Sequence, residues 1–126
     1  MPTLAELQRM TARFAPADIG ADVSALPDHE RAALSRLVDA ARIMDAIFLR
    51  QVWGGNGAML QELSRLAASP SASARGAAGG PRASRSAAAR LHYFLINKGP
   101  WDRLDHDRPF VPGAPVTSMP ESPVRL

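Results

Sequence analysis

Between residues 34 and 52 an apolar side chain recurs at almost every three- or four-residue step: Leu34, Leu37, Val38, Ala41, Met44, Phe48 and Val52. Steps of three and four place these side chains on one stripe of an α-helix. Ile43, Ile47 and Leu49 fall beside the stripe and widen it. A helix apolar over so much of its circumference has to be covered on more than one side. The stretch therefore predicts a core helix of something larger, with Leu34, Leu37, Val38, Met44, Phe48 and Val52 as core residues. Truncating Phe48 to alanine in such a core is expected to cost about 3 to 5 kcal/mol.

The ends of this helix are also written in the sequence. Pro27 presets a helical φ, and Asp28 and Glu30 put negative charge in the first turn. Gly54, Gly55 and Asn56 stop it, which places the helix near residues 28–53. Upstream, Thr3 and Glu6 have the spacing of a capping box ahead of Leu4, Leu7, Met10 and Phe14. That predicts a helix near residues 3–14, ended by Pro16 and Gly20. Met59, Leu60, Leu63 and Leu66 predict a third helix near residues 58–68, and Leu91, Phe94 and Leu95 a fourth near 85–98, closed by Gly99 and Pro100. The expected fold class is all-α, four helices followed by an extended loop and tail.

Two segments have no such periodicity. Residues 69–84 are Ser, Ala, Gly, Arg and Pro, and nothing apolar there offsets the entropy of ordering. They are expected to be a flexible insertion within a helical lobe spanning residues 1–115. Residues 116–126 are expected to form a divergent, disordered tail.

Composition narrows the function classes. The chain has 126 residues, no cysteine and a formal net charge of +3, carried by arginines because Lys98 is the only lysine. Disulfides and thiolate metal sites are thereby removed. No segment approaches the roughly 18 uninterrupted apolar residues of a membrane span, so no membrane partner and a cytoplasmic location are expected. Arg75, Arg82, Arg85 and Arg90 could neutralise phosphates, but no aromatic residue within their tract could stack a base. Nucleic-acid binding is thus the weakest of the functional readings.

A metal site is not legible either. His29 and Glu30 begin a helix as a zinc helix would, yet Ala33 and Leu34 stand where the second imidazole belongs. His92 and His106 have no second ligand at helical spacing. Along the long helix, Arg42 lies three residues from both Asp39 and Asp45, the spacing of surface ion pairs. The loop after residue 100 crowds Trp101, Asp102, Arg103, Asp105, His106 and Asp107 together, and loops behind helix ends commonly carry binding residues. In a lobe standing alone, Trp101, Phe110 and Val111 would be expected to form an exposed apolar patch.

Two strings carry a family resemblance: FLRQVWGGN at residues 48–56 and FLINKGPWDRLDHDRPFVPG at residues 94–113. With them, residues 14–115 resemble the amino-terminal part of bacterial dipeptidyl-peptidase III proteins, the M49 zinc metallopeptidases. The resemblance implies a mostly helical lobe bordering a substrate cleft. On it, Asn97, Lys98, Trp101, Asp102, Arg103 and Phe110 become candidate docking or cleft-bordering residues. It also implies that zinc is held elsewhere, since the family's helical HExxGH motif and downstream glutamate lie far beyond residue 126. No catalytic or metal-ligating residue and no cofactor are expected in this chain, which is expected to be inactive alone. Its partner is then the remaining catalytic part of the same protein, or a second copy through self-association. The alternative is a stand-alone helical module that docks its apolar face onto another protein.

Overall fold

The computed structural model describes residues 1–69 and 81–116 and has four helices with one short hairpin. The helices are α1 (Leu4–Thr11), α2 (Asp28–Val52), α3 (Asn56–Ala68) and α4 (Pro81–Asn97). Strands β1 (Trp101–Asp102) and β2 (Arg108–Pro109) pair antiparallel, Trp101 opposite Pro109 and Asp102 opposite Arg108. The mostly helical class is the one the periodicities predict. The stretch expected as loop after residue 100 holds this hairpin, and of the expected insertion and tail residues 70–80 and 117–126 lie outside the described residues.

Local chemistry explains the helix ends. The capping box forms: Thr3 Oγ1 accepts from the Glu6 N–H at 3.3 Å, and Glu6 Oε2 accepts from the Thr3 N–H at 2.7 Å. These bonds satisfy backbone donors that the first turn would otherwise leave unpaired. α1 closes at Thr11, three residues short of its expected end, and residues 12–14 continue as tighter turns, with the Arg13 N–H bonded to Met10 O. α4 begins at Pro81 rather than near residue 85, because proline's missing N–H costs nothing in a first helical turn. At its far end the Gly99 N–H bonds back to Phe94 O at 3.1 Å, with Lys98 between them at φ 55°. That is a Schellman closure with lysine in the left-handed position usually given to glycine.

The core is built around α4. Leu7 of α1, Leu63 of α3, Tyr93 and Phe94 of α4, and Phe110 and Val111 after β2 form one buried cluster. Phe14 and Phe110 meet the Tyr93 ring edge-on, at centroid distances of 6.1 and 4.8 Å. Such edge contacts add about 0.5 to 1.5 kcal/mol beyond area burial. Trp101 is fully buried and donates from Nε1 to Pro115 O at 2.9 Å, so the residues after the hairpin are tied to the body.

α2 departs from its expected role. It packs on α3 alone among the helices and has no buried residue. Leu34, Leu37, Val38, Met44 and Phe48 are exposed and Val52 only half-buried, so none of the six is in this chain's core. The helix itself is as the periodicity predicts. Its cover is not, because the other helices close their core on α4, and α2 reaches that core only through Leu49.

Candidate functional site

The candidate residues after α4 converge on a polar junction at the base of the hairpin. Asp102 sits buried where β1 pairs with β2. Its carboxylate accepts from Arg13 Nη2 through Oδ2 and from the Leu104 N–H through Oδ1, the latter at 2.9 Å. Arg13 Nη2 also donates to Tyr93 Oη at 2.8 Å. One guanidinium thus ties the residue after α1 to both α4 and the hairpin. Burial pushes the Tyr93 phenol above its ordinary value of 10.0; the Asp102 carboxylate adds to the rise, and Arg13 and Asn97 oppose it.

Asn97 is buried beside this group. Its Nδ2 donates to Tyr93 O at 2.9 Å, and its Oδ1 accepts from the Arg103 N–H at 3.0 Å, which fixes the start of the hairpin loop. The loop turns through His106 and Asp107, both at positive φ, and closes with the Arg108 N–H on Asp105 O. Arg103 lies over the Trp101 ring at 5.8 Å and donates to Asp107 Oδ1 at 2.7 Å. Lys98 holds both oxygens of Asp45 on α2, at 2.7 and 2.9 Å.

The six sequence-derived candidates therefore divide. Asn97, Trp101, Asp102 and Phe110 are interior groups whose side chains are spent on this chain's own fold, whereas Lys98 and Arg103 remain partly accessible. The apolar patch expected of Trp101, Phe110 and Val111 is absent, because all three are buried, Phe110 and Val111 in the cluster with Tyr93 and Phe94 of α4 and Trp101 tied to Pro115 O. Of the expected α2 pairs, Arg42 takes Asp39 at 3.2 Å, while Asp45 is held by Lys98 instead.

Three important residues are missing from the sequence-derived set. Arg13 reaches Tyr93 and Asp102 across separations of 80 and 89 residues, which no local pattern reveals. Asn56, read from sequence only as a helix stop, is fully buried and donates from Nδ2 to Leu49 O at 2.8 Å and Lys98 O at 3.4 Å. It pins the end of α2 to the end of α4. Its signal was the WGGN string. An added Cβ on Gly55 would run into the Trp53 ring, and that ring meets Trp101 edge-on at 5.6 Å.

A cavity of about 530 Å³ opens beside the junction, lined by Arg9, Arg13, Asp102, Asp105, Arg108 and Phe110 among others. Arg108 is paired with Asp105 at 3.2 Å and Arg13 with Asp102, so its charges are largely neutralised from within. The donor set does not suit a zinc ion. His29 and Glu30 lie 4.0 Å apart with no ligand on the next turn, and among the described residues no three carboxylates or imidazoles converge. Nor is any described helix long and apolar enough to cross a membrane.

These features define a class: a helical lobe with a closed structural junction and one long helix left open on its outer side. Its likeness is to dipeptidyl-peptidase III. The solved structure of that protein from Corallococcus sp. strain EGB superposes with a TM-score of 0.73 at 44% identity, covering 92% of this chain and 19% of that one. The protein from Caldithrix abyssi gives 0.65 at 36% identity, covering 86% and 18%. Nudix hydrolase 3 of Arabidopsis thaliana is 33% identical over 105 residues, 83% of this chain but 12% of that protein. No family model matches. The chain is a dipeptidyl-peptidase III-like amino-terminal region, spanning less than a fifth of the solved chains it resembles.

Proposed function

We propose that this chain is the non-catalytic helical lobe of an M49-type zinc peptidase, which in its whole form acts in the cytoplasm and removes dipeptides from peptide amino termini. The outer face of α2 carries the proposal. Leu37, Ile43 and Met44 are each more than 60% exposed, on a lobe whose sequence matches under a fifth of the dipeptidyl-peptidase III chains. A contiguous apolar face of this kind marks a contact surface. Zinc and the catalytic groups come from the part that covers it, and this lobe supplies shape and rigidity.

A chimera tests this. The matching stretch of the Corallococcus enzyme is replaced by this chain, and folding, zinc content and dipeptide release are measured. A folded, active chimera that loses its cooperative melt on Met44→Asp supports the lobe reading. An active chimera indifferent to Met44→Asp, or dipeptide release by this chain alone, overturns it.

The self-contained core of α1, α3, α4 and the hairpin favours one second reading, a stand-alone interaction module. On that reading the isolated chain captures a separate protein through the same α2 face, and the chimera does not assemble.

A further inference from the structure

We infer that the surface covering α2 is apolar and carries carboxylates opposite Arg36 and Arg50, and that it belongs to the remaining polypeptide of a dipeptidyl-peptidase III-type chain rather than to a second copy of this lobe. The inference rests on the docking reading above and adds the chemistry of the partner.

The charges of α2 sort into two groups. Asp28 pairs with Arg31, Asp39 with Arg42, and Asp45 with Lys98, while Glu30 in the first turn lies 4.0 Å from His29. Arg36 and Arg50 are exposed and have no hydrogen bond or ion pair among the described residues. Arg36, Ile43 and Arg50 are seven residues apart, a step that drifts only about 20° around a helix. The two positions therefore bracket Ile43 along one edge of the apolar face, about 21 Å apart along the helix axis. Asp45 and Leu49 mark the side turned to the body of the lobe. Leu37, Met44 and Phe48 continue the face away from it.

This spacing bears on the second copy. The face runs from Leu34 to Val52, and its midpoint is Ile43. Antiparallel pairing of two such helices about Ile43 sets Arg36 of each copy against Arg50 of the other. Parallel pairing in register carries the two arginine edges to opposite sides of the contact, where each meets the body-side edge of the other copy, whose Asp45 carboxylate is already held by Lys98. The antiparallel arrangement thus opposes like charges on the rim of an apolar contact, where such juxtaposition costs affinity, and the parallel one offers the arginines a carboxylate that is already paired. Carboxylates at the same two places reverse the sign. The dipeptidyl-peptidase III chains supply a covering body on length alone, since this chain matches 19% of the longer match.

The test uses the 126-residue chain and two synthetic helical peptides with the same leucine face, one flanked by glutamates and the other by lysines. Binding is read by fluorescence anisotropy at low and high salt, and the oligomeric state by sedimentation. The glutamate peptide is expected to bind at least about tenfold more tightly at low salt, with the gap closing at high salt. Arg36→Glu with Arg50→Glu should invert the preference, and far-ultraviolet circular dichroism shows whether that variant stays folded. Arg36→Gln with Arg50→Gln abolishes the preference without adding charge. Equal binding of the two peptides, binding of neither, a stable dimer of the chain, or tighter association with phosphatidylserine vesicles than with the glutamate peptide each overturns the inference. An active chimera that fails on Met44→Asp while the peptides are not distinguished keeps the docking and removes only the charges.

Discussion

Asp102 anchors a junction of separate parts of the lobe, since its carboxylate holds the hairpin loop at Leu104 and the Arg13 guanidinium beyond α1, which in turn binds Tyr93 of α4. Asp102→Ala should lower stability by about 3 kcal/mol, the low end for breaking a buried pair, because Arg13 is 38% exposed and regains water. Asp102→Asn keeps an acceptor for the Leu104 N–H and should cost less than half as much; urea melts of both variants check the order. Tyr93 adds a pH dependence. Its phenol keeps its proton in the fold above the ordinary 10.0, while the unfolded chain loses it there. The unfolded state then binds fewer protons, so the stabilisation is complete below about pH 10 and falls as pH rises beyond it. Tyr93→Phe should flatten that alkaline slope; an unchanged slope in melts between about pH 9 and pH 11 assigns it elsewhere. Gly55→Ala should destabilise by about 1 to 3 kcal/mol, because its Cβ meets the Trp53 ring, whereas Gly54→Ala meets nothing within 4 Å.

At the scale of elements, α1 and α2 differ in what holds them. α1 has eight residues and is too short to persist alone, so its cap and Leu7 carry it. Thr3→Ala should cost about 1 kcal/mol and raise amide exchange in the first turn. α2 has 25 residues, lacks a side-chain cap, and relies on its own hydrogen bonds and on i,i+3 pairs worth a few tenths of a kcal/mol each. It is fastened at one end, by Asn56, Leu49, the Trp53 ring and the Lys98–Asp45 pair. Its amides should therefore exchange fastest near Asp28 and slowest near Val52. Lys98→Gly relieves a left-handed lysine at about 1 kcal/mol and loses an exposed pair worth less than that. The global melt should hold or rise slightly while exchange in α2 quickens.

For the whole molecule, the placement of the core decides which truncations matter. Phe94→Ala, in the cluster around α4, should cost about 3 to 5 kcal/mol. Periodicity alone predicts the same cost for Phe48→Ala. Phe48 is half exposed, so in the isolated chain its truncation should cost less than about 1 kcal/mol. The larger value should return only in the chimera, where the face is covered. Thermal melts of both variants in both contexts separate the two cases.

The helices, their order and most of their ends were legible because period, caps and prolines act within a few residues: Thr3 with Glu6, Pro27 before α2, Gly99 after α4. The candidate residues after α4 were legible as a cluster, but not as an interior. Asn97, Trp101, Asp102 and Phe110 carry the polar and aromatic signature of a binding loop, and only their burial against Arg13, Tyr93 and the residues after β2 makes them structural. Sequence alone determined that α2 has an apolar face and that the chain resembles dipeptidyl-peptidase III. Tertiary structure alone decided that the core closes on α4 and leaves that face uncovered. The physical reason is that periodicity records which side of a helix avoids water, while the identity of its cover depends on contacts between residues far apart in the chain.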